Sequence, residues 1–132
     1  MMQMFSDHLF PVSSEKRPYI FSMQPAALDN VPFHQNTACI TRYFARRFPL
    51  HLAVHEISPV SAPPAEYTHP HKHLDSDEIN IILSDEDLLY KIRIGEETFV
   101  AGKNSCIWIP RGVLHSANVL KGSGYFITLR VR

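Results

Sequence analysis

The chain has only two cysteines in 132 residues, Cys39 and Cys106, and they stand far apart. One pair cannot build a disulfide framework, and neither has the close partner of a thiolate metal site. Each lies in an apolar run and reads as a buried free thiol. Net charge is lacking as well, since the formal charge is zero. No basic stripe marks a nucleic-acid surface, and no block of like charge marks a tail. The densest acidic stretch, residues 75–87, is broken by the apolar run 79–83. No apolar run approaches the ~20 residues that span a bilayer. The first ten residues lack the basic-then-apolar order of a signal peptide. Neither a P-loop nor a glycine-rich dinucleotide turn is present. These absences predict a cytoplasmic protein whose partner is a small-molecule ligand, with no nucleic acid and no membrane.

Glycine is missing from the front of the chain. All five glycines lie from Gly95 onward, whereas nine of the ten prolines precede His71. The front is therefore rich in stiff, extended connections and the back in tight turns. The length suits one domain, and 45% hydrophobic content supplies a core.

What is present is a run of short strands. Residues 37–44 and 50–57 alternate in polarity, and His51, Ala53, His55 and Ile57 share one face of the second. Residues 58–64 read as a proline-rich loop. From Tyr67 the alternation of His69, His71 and His73 predicts a strand that points all three to one side. Strands follow at 78–83, 88–94, 97–101, 106–109, 114–120 and 125–131, with turns at Gly95-Glu96, Gly102-Lys103-Asn104, Pro110-Arg111-Gly112 and Gly122-Ser123-Gly124. A short helix near 25–30 is a weaker signal. Many short strands with turns every few residues suit an all-β sandwich or barrel. Residues 1–36 read as an N-terminal arm of the same domain, and 37–132 as the barrel. The arm carries Phe5, Phe10, Tyr19, Phe21, Val31 and Phe33, which predicts packing on the outer face of a sheet and at a homodimer interface.

Two stretches carry the chemistry. The first is His71-Lys72-His73-Leu74-Asp75-Ser76-Asp77-Glu78, and the second is Pro110-Arg111-Gly112-Val113-Leu114-His115. His-x-His places two imidazoles on one side of a strand, not of a helix. Glu78 can return toward them from the next strand, and His115 from the strand after the Pro-x-Gly turn. Three imidazoles and one carboxylate suit Mn, Fe, Co, Ni, Cu or Zn, and suit Ca or Mg poorly. Four protein ligands leave positions open on a five- or six-coordinate ion.

Those residues resemble the cupin superfamily. Its first motif is roughly Gly-x5-His-x-His-x(3,4)-Glu-x6-Gly, and its second Gly-x5-Pro-x-Gly-x2-His-x3-Asn. His71, His73 and Glu78 match the first; Pro110, Gly112 and His115 match the second. Ala65 and Asp85 replace the glycines of the first motif. In the second, Gly102 lies two residues further from Pro110 than expected, and Asn118 one residue closer to His115. The resemblance covers about residues 50–131. It implies a double-stranded β-helix (jelly-roll) barrel, His71, His73, Glu78 and His115 as ligands of one divalent transition metal, and a homodimer. It also implies a metal-dependent enzyme of oxygenase, decarboxylase or isomerase type acting on a small oxygen-bearing molecule. The alternative is a non-catalytic metal or small-ligand binding protein.

Other residues keep plainer roles at this point. His69, before Pro70, reads as a rim residue. His51 and His55 read as hydrogen-bonded residues in or near the cavity, and Asp75 and Asp77 as loop hydrogen-bonding groups. The stripe Leu88, Tyr90, Ile92, Ile94 reads as core. The facing of Tyr90, Arg93, Trp108, Tyr125 and Arg130 is not fixed by their positions; Arg93 or Arg130 turned inward would suit a substrate carboxylate.

Overall fold

Side chains on successive strand residues alternate between the two faces of a sheet, so strand pairing decides what the interior contains. The computed structural model describes residues 19–132. Its strands are β1 (Gln24–Ala26), β2 (Ile40–Phe44), β3 (His51–Val60), β4 (Asp77–Leu83), β5 (Leu88–Ile94), β6 (Glu97–Ala101), β7 (Ser105–Ile109) and β8 (His115–Val131). All eight pair antiparallel. The one helical element among the described residues is a 3-10 turn, Leu28–Asn30. No helix there is long and apolar enough to cross a membrane. The expected short helix at 25–30 is thus β1 followed by this single turn.

The fold turns on β8, which is 17 residues long and serves two layers. Its first part, up to Gly122, pairs with β5, and β5 pairs with β6. Its second part lies between β3 and β4, giving the order β1-β2-β3-β8-β4-β7. The expected turn at Gly122-Ser123-Gly124 is instead a bend within one continuous strand. Gly122 (φ 103°) and Gly124 (φ 144°) both have positive φ. A Cβ on Gly122 would collide with the Asp87 carbonyl, and one on Gly124 with the Leu83 carbonyl. The two glycines therefore let the β4–β5 connection press against β8 where the strand changes layers.

Registers line up inward side chains in rows. One row holds His51, Arg130, Glu78 and Ile109; the next holds Phe44, Ala53, Thr128 and Asn80; a third holds Arg42, His55, Phe126 and Ile82. The far end of the interior is apolar. Leu88, Tyr90, Ile92, Val119, Ile57 and Ile82 form its buried core, and the Tyr90 ring stacks on Phe126 at 4.3 Å. The stripe on β5 is core, as its alternation predicts. Burying each such side chain contributes roughly 1.5–3 kcal/mol before the opposing entropy.

The outer face of β3, β8, β4 and β7 is apolar too. Leu52, Leu129, Ile79 and Trp108 form one cross-strand row, and Val54, Ile127 and Ile81 the next. Trp108 is 65% exposed there. Cys106, expected to be buried, is exposed because it points outward from β7, while Cys39 is half-buried.

Two further expectations change. β3 continues to Val60 rather than ending at residue 57, and a register shift between Ile57 and Val60 accommodates Pro59. Residues 1–18, with Phe5 and Phe10, lie outside the described residues. From residue 19 the arm joins the sheet and the core. β1 extends the sheet beyond β2, Leu28 enters the core, Gln35 N–H donates to the Tyr67 carbonyl at 2.8 Å, and the Phe33 carbonyl accepts from His69 N–H at 2.8 Å.

The bend in β8 generates a test. Gly122→Ala combines a disfavoured φ with a backbone clash, so it should cost more than about 3 kcal/mol or prevent folding. Gly95→Ala, at φ 61° but facing open space, should cost only about 1 kcal/mol. Urea unfolding of the two variants checks this contrast.

Candidate metal centre

Residues 67–73 form no regular strand, contrary to the alternation of their histidines. Pro70 cannot donate a ladder hydrogen bond, and the segment meets the start of β8 at one isolated bridge and the arm at another. His71 exchanges both backbone hydrogen bonds with His115, at 3.0 and 2.8 Å. Asn118 secures the same seam. Its Oδ1 accepts from the N–H groups of Tyr67 (2.9 Å) and Thr68 (3.0 Å), and its Nδ2 donates to the Thr68 carbonyl at 3.1 Å. Past His73 the two motifs are clipped again. Gly112 N–H donates to the His73 carbonyl at 2.7 Å, and Arg111 donates to Asp77 Oδ1 from its backbone N–H (2.9 Å) and Nε (3.2 Å). Asp77 is therefore a loop hydrogen-bonding group, as expected.

This seam brings the predicted ligands together. Nitrogen atoms of His71, His73 and His115 all lie within 4.8 Å of one another. Glu78, on β4, places Oε1 3.2 Å from His73 Nε2 and 3.4 Å from His115 Nε2. Its Oε2 accepts from Asn80 Nδ2 at 2.9 Å. Backbone carbonyls fix two of the rings: His71 Nδ1 donates to the His69 carbonyl (2.8 Å) and His115 Nδ1 to the Val113 carbonyl (2.9 Å). A neutral imidazole held this way keeps a lone pair on Nε2. His115 Nε2 is buried and has no hydrogen-bond partner, although it lies close to Glu78. Lone pairs and a carboxylate facing one another repel unless a proton or a cation sits among them. The donor set fits a first-row divalent metal.

Burial and charge set the protonation states. Burial pushes the His71 imidazole down to about 4, and does the same to His51 and His55. For Glu78 burial acts upward, but His115, His73 and Asn80 outweigh it and hold the carboxyl well below its usual range. Burial acts downward on His115, yet the neighbouring Glu78 raises it overall. The resting site thus combines an ionised Glu78 with a His71 ring that resists protonation and a His115 ring on which Glu78 favours a proton.

The cluster opens on a cavity of about 70 Å3 between the layers. Arg130, Tyr90, His51 and His55 face it, whereas Trp108 and Tyr125 lie outside. Arg93 Nε donates to the Gly95 carbonyl at 3.1 Å, back at its own hairpin. His69 is exposed at the rim, 3.4 Å from the Gln35 side chain. His55 Nδ1 donates to the Phe126 carbonyl at 2.9 Å. Sequence reasoning missed His34 and Arg42, which also line the cavity. It also missed Phe33, which stacks on the His71 ring at 5.6 Å between centroids and 4° between planes. Phe33 adopts φ 69°, strained for a bulky residue, at the point where the arm meets the site. No local spacing signals any of the three, since only the folded arm and β2 bring them to His71.

Comparison with known structures agrees with this architecture. KdgF from a Halomonas species superposes with a TM-score of 0.55 at 16% identity, over 79% of this chain and 91% of its own. An RmlC-like cupin from Shewanella frigidimarina gives 0.50 at 13%, over 85% and 94%. A predicted oxalate decarboxylase from Thermotoga maritima gives 0.56 at 12%, over 84% and 92%. This chain has the cupin fold. No family model matches the sequence, and no curated protein does either.

Within that fold the motif departures acquire reasons. Asn104 stands six residues before Pro110, where the second motif has glycine, and adopts φ 61°. Asn tolerates the left-handed region, so the turn needs no glycine and Gly102 is not its equivalent. Asn118, one residue nearer His115, serves the seam with 67–68 described above.

His55 yields a pH test. Its folded form favours the neutral ring, whereas the unfolded chain takes up a proton near the ordinary value of 6.5. Between pH about 6.5 and 4 the unfolded state binds more protons, so this residue's contribution to stability falls as pH drops. His55→Asn keeps a donor for the Phe126 carbonyl and does not titrate. Urea unfolding from pH 7 to 4 should show the wild type losing about 1–3 kcal/mol more than the variant.

Proposed function

We propose that His71, His73, Glu78 and His115 hold one divalent transition ion, Mn, Fe, Co, Ni, Cu or Zn. On this reading the protein is a metal-dependent enzyme acting on a small oxygen-bearing organic molecule, of oxygenase, decarboxylase or isomerase type. The observation that carries the reading is the convergence of His nitrogens within 4.8 Å of one another beside an ionised Glu78, with the buried His115 Nε2 facing Glu78 Oε1 at 3.4 Å. Such an ion supplies a Lewis acid with open positions for an oxygen-bearing ligand. The chain supplies the rest. Carbonyls fix the rings of His71 and His115, and burial keeps His51 beside the cavity neutral. The solved structures of similar fold include one described as a predicted oxalate decarboxylase, which supports this class without choosing a substrate.

The small cavity, about 70 Å3, also favours a second reading, in which the protein binds a metal or small ligand without turnover. Turnover assays across small oxygen-bearing acids with the metal-loaded protein separate the two.

Elemental analysis tests the metal. Protein purified and reloaded should carry close to one equivalent of one such ion, and His115→Ala should lose most of it. Less than about a tenth of an equivalent in the reloaded wild type would end the proposal.

We also infer that the apolar outer face around Trp108, Ile79 and Leu129 packs on a second copy, giving a homodimer. Light scattering should show a dimer that Trp108→Asp converts to a monomer with its metal content unchanged. A wild-type monomer at micromolar concentration would refute it.

A further inference from the structure

Among the described residues, two guanidinium groups line the cavity without a carboxylate in ion-pair contact. Arg42 on β2 is only 7% exposed. No described acid pairs with it, and its one defined contact is a cation–π approach to Phe44, 4.7 Å from the ring centroid. Arg130 on β8 is the cross-strand neighbour of both His51 and Glu78. It makes no ion pair with Glu78, whose oxygens are engaged by His73, His115 and Asn80. Its Nε is buried and has no hydrogen-bond partner. Both arginine side chains line the same cavity as His51. Retaining a buried, unpaired cation such as Arg42 costs several kcal/mol unless an anion joins it.

The charges in the cavity can be counted from the page. Among the residues that line it, Arg42 and Arg130 are the two guanidiniums and Glu78 is the single carboxylate. The excess is positive before any metal is added. A groove of about 410 Å3 adjoins the cavity through His51 and Arg130, which line both. Arg46 and Arg132 also line it, the latter 3.6 Å from Asp75. Such a mouth draws anions inward.

We propose that Arg42 and Arg130 bind a small aliphatic dicarboxylate in this cavity, with its inner end facing the cluster of His71, His73, His115 and Glu78. The planar fork of each guanidinium matches a carboxylate at two points. The second charge of the ligand offsets the excess that one carboxylate would leave. The inference deepens the metal-centre reading and rests on it only for what the inner end meets.

The test is isothermal titration of the metal-reloaded, full-length protein with malonate, succinate and monomethyl malonate, with metal content measured on the same samples. At least one of the two diacids should bind saturably at millimolar concentration. The half ester should bind at least ~10-fold more weakly than malonate. Arg42→Gln and Arg130→Gln should each weaken diacid binding by ~10-fold or more with metal content retained, and the Lys variants should recover part of it. Arg93→Gln, outside the cavity, should match the wild type. If Arg42→Gln does not fold, Arg130→Gln and the half ester still decide. Absence of diacid binding, equal binding of the half ester, or full binding in the arginine variants would overturn the proposal. Arginine-dependent diacid binding in a protein that takes up no metal would support it while refuting the metal reading.

Discussion

Every feature of the site depends on one seam, where the 67–73 segment meets the start of β8. His71 and His115 exchange backbone hydrogen bonds, so two side chains more than forty residues apart in sequence are set beside each other. The pairing alone would leave their orientation loose. The carbonyls of His69 and Val113 fix the two rings through Nδ1. The Asp77–Arg111 and His73–Gly112 bonds then lock the loop past the site onto the turn that precedes His115. Hydrogen bonds among backbone groups thus do the positioning, and the imidazoles are left free to face inward.

The interior applies opposite pressures to its charged groups. Burial disfavours every charge, and it keeps His71, His51 and His55 neutral. Glu78 escapes because two imidazoles and Asn80 surround its oxygens. Arg42 and Arg130 have no such compensation within the described chain. A low-dielectric pocket amplifies that imbalance. On the reading proposed above, the two guanidiniums give the cavity a preference for negative charge.

The layers themselves rest on a few local exceptions to regular strand geometry. Gly122 and Gly124 let β8 bend between layers against the β4–β5 connection. The Phe33 backbone strain coincides with its ring stacking on His71, and Leu28, Val31 and His34 of the arm form part of the cavity wall.

Much of this was readable in the linear chain. Alternation located β5 and β6 to the residue, placed Glu78, Asn80 and Ile82 on one face, and put His51 and His55 on the inner face of β3, because a period of two is a local property of an extended backbone. The motif spacing marked His71, His73, Glu78 and His115, whose nearness depends on a turn and a strand start that are themselves local. Other features have no local cause. Alternation made 69–73 look like a strand, but Pro70 and the long-range pairing with β8 left only bridges. The glycines near 122 looked like a turn, yet packing against Asp87 and Leu83 kept the strand continuous. His34, Arg42 and Arg130 show no pattern that announces a shared cavity. The sequence determined which residues could ligate and which faces would be apolar; the tertiary structure alone decided which distant groups share one interior, because that depends on how β2, β3 and β8 register and how the arm crosses them.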